Sequence, residues 1–124
     1  MKLYGYAGCS TCRKAIHWLV ARQLDPEIVD ITQQPPSLAE LGQALDQLGR
    51  KRLFNTSGQS YRALGPATVA AMDDPAALAA LAADGKLVKR PFLILNDGRI
   101  LTGFKEQEWQ TVLLAESPVS DQER

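Results

Sequence analysis

Cys9 and Cys12 stand in the stretch "GYAGCSTCRKA", residues 5–15, and are the only cysteines of this 124-residue chain. A C-x-x-C pair has three ordinary uses: half of a metal site, a structural disulfide, or a reactive thiol pair. A structural zinc site wants four ligands. Besides the two thiols the chain offers one histidine, His17, so no metal site is expected. Two cysteines are also too few for a disulfide scaffold. Thiol chemistry remains, and its strength depends on where the two sulfurs lie in the fold.

The elements around the pair set that position. "KLYGY" (2–6) reads as a strand ending at Gly5 or Gly8. The run 10–23 predicts a helix, with Ser10 or Thr11 as its cap and Ile16, Leu19, Val20 and Gln23 along one stripe. Asp25-Pro26 breaks it. "EIVDI" (27–31) alternates as a second strand. Strand, helix and strand over about 30 residues make a βαβ unit with parallel strands. Cys9 then falls where strand gives way to helix. There the unpaired N–H groups and the positive end of the helix dipole favour S⁻ over SH. Arg13, one turn on, adds positive charge. Cys12 lies about one helical turn from Cys9, so its sulfur can reach the first. Cys9 therefore reads as the nucleophile and Cys12 as the resolving thiol.

The remaining elements complete a sheet. "TQQPPS" (32–37) is a turn, and Ser37 with Glu40 makes a capping box for a helix carrying Leu38, Leu41, Leu45 and Leu48. Residues 53–65 are polar and glycine-containing, with a short helix expected around Tyr61 to Leu64. Residues 73–86 predict a helix capped by Asp74, with Pro75 in its first turn and Gly85 at its end. "PFLIL" (91–95) reads as a buried strand, "NDG" (96–98) as a tight turn and "RILTG" (99–103) as the antiparallel return. The run 105–114 is a last helix with Trp109, Val112 and Leu113 on one side. Residues 115–124 read as a flexible polar tail. The expectation is one α/β domain over 1–124. It has a four-stranded mixed sheet and a helical insertion, about 33–85, between its βαβ and ββα halves: a thioredoxin-like layout.

Composition narrows the function. The 14 basic and 14 acidic side chains cancel, so no overall field gathers phosphates and direct nucleic-acid binding is not expected. No segment approaches the ~20 apolar residues of a membrane span. The start, "MKLYGYAGCS", lacks the apolar core of a secretory signal. A cytoplasmic monomer is the expectation.

Four segments carry a resemblance: "GYAGCSTCRKA", "FNTSGQSYRALG", "DGKLVKRPFLI" and "LTGFKEQEW". Together, in this order, they resemble the arsenate reductase family, the glutaredoxin-like group that includes the Spx-type regulators. The likeness runs over roughly residues 2–113. It implies a thioredoxin-like core with a helical insertion, Cys9 as catalytic cysteine and Arg13 as the arginine of the active-site loop. It also implies Arg90 as an arginine that helps hold the oxyanion, followed by a cis peptide at Pro91. Glutathione-coupled reductases of the family place two further arginines on the oxyanion; Asn55 and Gly103 stand in their places here. A C-x-x-C in place of a single cysteine is closer to the Spx-type branch. The implied function is a thiol–disulfide oxidoreductase with no bound cofactor, using glutathione or thioredoxin as thiol donor. Its substrate would be a small oxyanion or a thiol or disulfide, and its protein partner glutaredoxin or thioredoxin. The alternative is an Spx-like redox-sensing regulator that binds the RNA polymerase α subunit.

Other residues have plainer readings beside functional ones. His17 lies about 12 Å along the helix from Cys9, too far for contact. Trp18 and Trp109 read as core or edge packing. Asn55, Thr56, Ser57 and Gly58 either line a cleft or make a turn. Lys14, Lys51 and Arg52 either join Arg13 and Arg90 in a basic rim or are simply solvated.

Overall fold

The structure, a computed structural model, describes residues 1–114; the expected flexible tail, 115–124, lies outside the described residues. Its sheet grows from the βαβ unit. β1 (Lys2–Gly5) and β2 (Glu27–Asp30) pair in parallel, with Leu3 against Ile28 and Tyr4 against Val29. α1 (Ser10–Ala21) is the crossover between them. β3 (Phe92–Ile94) pairs antiparallel with β1, and β4 (Ile100–Thr102) antiparallel with β3. The order β2-β1-β3-β4 is the expected four-stranded mixed sheet. α6 (Glu106–Leu114) follows β4.

Alternation along the strands divides the core in two. Leu3, Leu93 and Leu101 face one side, and Tyr4, Phe92 and Ile100 the other, as a two-residue side-chain period requires. The first set packs against Ala15, Trp18 and Leu19 of α1 and Trp109 of α6. The second packs against the insertion: Leu41 and Ala44 of α2 (Leu38–Leu48), Val69 of α4 (Pro66–Ala71), and Ala77 and Leu81 of α5 (Asp74–Ala83). α3 (Gln59–Leu64) adds Tyr61 at its edge. The insertion is thus a second helical layer over the opposite sheet face.

Several local expectations shift. α1 ends at Ala21 and the chain reverses with Gln23 at φ +62, so Asp25-Pro26 follows the break instead of causing it. The helix meets the sheet on its small residues, Cys12 and Ala15, beside Trp18 and Leu19; Val20, expected on that stripe, is 59 % exposed. Leu38, first in α2, is also exposed, while Leu41 and Ala44 take the buried face. The capping box forms: Ser37 Oγ accepts the Glu40 N–H and Glu40 Oε1 accepts the Ser37 N–H. Asp73, not Asp74, caps α5: its Oδ1 accepts the Ala76 N–H at 2.9 Å, with Pro75 in the first turn. α4 was not expected at all. Among the described residues no helix is long and apolar enough to cross a membrane.

Candidate active site

Cys9 lies between β1 and α1 and three bonds hold it. Its N–H donates to the Tyr6 carbonyl at 3.1 Å, and its carbonyl accepts the Arg13 N–H at 3.0 Å. Its Sγ accepts the Cys12 N–H at 3.2 Å. The last bond makes Cys9 itself the N-cap of α1, in an extended conformation. Ser10 and Thr11, the expected caps, are already helical because the bond to Tyr6 starts the turn at Cys9. A sulfur in this place faces the free N–H groups of the first turn of α1.

Cys12 is buried beneath it. Burial first, and then the Cys9 side chain, push the Cys12 thiol up to about 12, against lowering by the Tyr6 backbone and Arg90. Cys12 is therefore a protonated thiol at neutral pH. Its sulfur sits against β1. The pair presents one half-exposed sulfur and one hidden sulfur on a single helical turn.

Cys9 opens onto a cleft of about 580 Å³. That size lies within the usual range for small-ligand sites. Its walls come from the Tyr6–Thr11 loop, the Asn55–Gly58 stretch, Lys89 and Arg90 ahead of β3, and the Thr102–Lys105 segment. Four cationic side chains line it, Arg52, Lys89, Arg90 and Lys105, and no carboxylate does. On a chain of zero formal net charge this is a local separation of charge. Among the described residues no group of three or more His, Cys, Asp or Glu side chains gathers as a metal set.

Arg90 reaches the cleft as expected. Its guanidinium lies 5.1 Å from the Tyr6 ring centroid and donates to the Lys86 carbonyl at 3.0 Å, while its Nε is buried without a partner. The Arg90-Pro91 peptide is cis. Pro91 is buried and does not line the cleft. Its carbonyl instead accepts the Gly103 N–H at 2.9 Å, which fixes the far wall. Asn55 lines the cleft and also shapes its turn: its Oδ1 accepts the Ser57 hydroxyl at 3.2 Å.

Arg13 is not brought into the cleft. Its guanidinium reaches back to donate to the exposed Ala7 carbonyl, bracing the loop from outside. It shares a different surface with Lys14, His17 and Arg22. Of the other rim candidates only Arg52 faces Cys9, and it is paired with the Glu108 carboxylate at 3.0 Å and donates to the Thr102 carbonyl. Lys51 lies on a separate surface near Phe54 and Tyr61. Trp18 and Trp109 are core residues, joined edge-to-face with Phe104. Sequence reasoning missed Lys89 and Lys105. The basic pair Lys89-Arg90 directly ahead of a proline was the available signal for the first.

A mixed sheet of βαβ and ββα halves, with a C-x-x-C pair at the start of the first helix, defines a thioredoxin-like protein. The chain belongs to the ArsC family, whose model matches residues 4–112. It is 38 % identical to the uncharacterised protein YusI of Bacillus subtilis over 114 residues, covering 89 % of this chain and 95 % of that one. A crystal structure from Streptococcus mutans, described as a possible arsenate reductase, is 39 % identical with a TM-score of 0.76, over 84 % of this chain and 90 % of that one. The regulatory protein MgsR of Bacillus subtilis is 27 % identical over 110 residues, 87 % of this chain and 86 % of that one.

Proposed function

We propose that the protein is a thiol–disulfide oxidoreductase in which Cys9 attacks and Cys12 resolves. The observation that carries this reading is the cap: Cys9 Sγ accepts the Cys12 N–H at the positive end of α1 and opens onto the cleft, with the Cys12 thiol directly beneath. In the first step the Cys9 thiolate attacks one sulfur of a disulfide; a Cys9 mixed disulfide forms and a thiolate leaves. In the second, Cys12 gives up its proton to solvent and attacks Cys9 Sγ. The Cys9–Cys12 disulfide forms and the second thiolate leaves. The substrate gains two electrons and the pair loses two. Glutathione or a thioredoxin-type dithiol then returns the pair to the reduced state.

The second step is assisted by the first. Burial is the largest cause that holds the Cys12 thiol up, and the Cys9 side chain is the next. Once Cys9 is bonded to substrate its side chain no longer opposes the Cys12 thiolate, while Arg90 still favours it. Forming the mixed disulfide thus removes one of the causes that hold the Cys12 thiol up, while its burial remains.

Arsenate is a poorer substrate than a carbon-borne disulfide on this reading. Arg90 lines the cleft but donates to the Lys86 carbonyl, and Arg52 is occupied by Glu108. Each charge-assisted bond contributes about 1.5–3 kcal/mol. Two missing arginines therefore weaken oxyanion binding by orders of magnitude. The test is reduction of hydroxyethyl disulfide by the full chain, coupled in turn to glutathione and to thioredoxin. Turnover that disappears in Cys9→Ser supports the reading, and no turnover with either donor overturns it.

The likeness to the regulatory protein MgsR favours a second reading, a redox-sensing regulator that uses the same pair; the resemblance to Spx-type regulators gives the RNA polymerase α subunit as its partner. Its test is retention of purified α subunit by the reduced and the oxidised protein. Binding that depends on the Cys9–Cys12 state, without turnover, selects it.

A further inference from the structure

The Cys9 cleft holds more positive charge than the thiol chemistry uses. Arg52 is neutralised by Glu108 at 3.0 Å. Arg90 is tied to the Lys86 carbonyl and stacked over Tyr6. Lys105 is exposed, on the rim. Lys89 differs from all three: it is half-buried, and among the described residues its ammonium has neither a hydrogen bond nor an ion pair.

Its course is set by the backbone on both sides. The Lys89 N–H donates to the Leu53 carbonyl at 2.8 Å, which anchors the residue beside the insertion. Its stem then crosses Gly103. A Cβ at Gly103 would lie 3.0 Å from Lys89 Cε and 3.8 Å from Cδ. Gly103 cannot move aside, because its N–H is held by the Pro91 carbonyl and its own carbonyl by the Trp109 indole N–H at 3.1 Å. Its φ of +68 also excludes most side chains. The Lys89 stem thus runs close over Gly103.

A neighbouring recess shares Tyr6, Asn55, Ser57, Gly58 and Arg90 with the cleft and adds Arg62 and Lys86. No carboxylate lines either recess. The charged side chains that line the two recesses are therefore all cationic.

We infer that Lys89 is the substrate-selecting cation of the Cys9 cleft: it recognises a carboxylate on the disulfide that reacts there, its stem running past Gly103. The inference rests on the redox reading of Cys9. A lysine ammonium is a compact point charge on a flexible stem, suited to one carboxylate at some distance from the reacting sulfur. A tetrahedral oxyanion seated on the sulfur is better held by the planar forks of several arginines.

Reaction of reduced protein with two disulfides tests this: 5,5′-dithiobis(2-nitrobenzoate), which carries carboxylates, and 2,2′-dithiodipyridine, which is neutral. In each, Cys9 forms the mixed disulfide and an aromatic thiolate leaves, and its absorbance is followed by stopped flow. The quantity read is the ratio of the two rate constants, divided by the same ratio for a small free thiol. Lys89→Gln is expected to lower it about fivefold and Lys89→Arg to restore most of it, as for one partly shielded charge pair. Molar salt should remove the difference. A ratio unchanged in Lys89→Gln, or lowered equally by Lys105→Gln, overturns the inference. If Cys9 reacts with the neutral disulfide no faster than the free thiol does, the oxidoreductase reading falls, while the ratio still reports on Lys89.

Discussion

The Sγ atom of Cys9 accepts the backbone N–H of Cys12 at 3.2 Å, so the residue that opens onto the cleft is also the cap of α1. Reactivity and local stability are thus carried by one atom.

The two thiols should differ sharply toward alkylation. Cys12 is buried and its thiol is held up at about 12, whereas Cys9 is open to the cleft. Iodoacetamide at neutral pH should label Cys9 alone, and Cys12 should follow only after unfolding. Peptide mass mapping of briefly treated protein checks this.

Replacing the cap should separate stability from chemistry. Cys9→Ala removes the acceptor for the Cys12 N–H and is expected to cost about 1 kcal/mol of stability, while Cys9→Ser keeps an acceptor and stays close to the parent. Both abolish turnover. Urea unfolding of the two reduced variants gives the comparison.

Gly5 of β1 sets the position of the buried sulfur. A Cβ there would come 2.9 Å from Cys12 Sγ and 3.1 Å from Leu3 Cδ2. Gly5→Ala is expected to destabilise the fold by about 1–3 kcal/mol, as overpacking does. It should also push Cys12 Sγ from its place, so that the Cys9 mixed disulfide persists longer. Quenched-flow mass spectrometry measures that lifetime.

The insertion is fastened to β1 by a charged cluster with a pH signature. Glu40 accepts the Tyr4 hydroxyl at 2.7 Å and the Lys2 ammonium at 2.8 Å, besides the Ser37 N–H. Burial raises its carboxyl, but the bonds from Lys2, Ser37 and Tyr4 outweigh it and hold the group below its ordinary 4.5. A depressed carboxyl stabilises the fold above 4.5 and loses that contribution as pH falls through its folded value. Glu40→Gln should lower stability by about 1 kcal/mol at neutral pH and flatten the acid limb of the stability curve. Thermal unfolding from pH 7 down to about pH 3 tests both parts.

The order of elements was legible because it is written in local patterns: the aromatic-rich first strand, the Ser37–Glu40 box, Pro75 in the first turn of α5, and Asp97-Gly98 between β3 and β4. What the patterns misassigned was decided by packing. Serine and threonine outrank cysteine as caps, yet the bond from Cys9 to Tyr6 starts the helix at the cysteine. α4, six residues long, is too short to show a period. The cleft was half legible. Cys9, Cys12 and Arg90 follow from position in the fold and from resemblance. Arg13 looked equivalent from spacing but spends its guanidinium on the Ala7 carbonyl. Lys89 and Lys105 meet Cys9 only through tertiary packing, from segments far along the chain, and the path over Gly103 has no trace in the local sequence.

Trapping the oxidised protein shows whether Cys9 and Cys12 exchange two electrons as a pair. The full chain is treated with diamide, free thiols are blocked, and the intact mass is read before and after reduction by glutathione or by thioredoxin. The expected product is a monomer lighter by two hydrogens that takes up no blocking reagent and regains both thiols with at least one donor. Neither Cys9→Ser nor Cys12→Ser should form it. Two thiols that stay open to blocking after oxidation, or oxidation that yields only cross-linked dimers, would contradict the account.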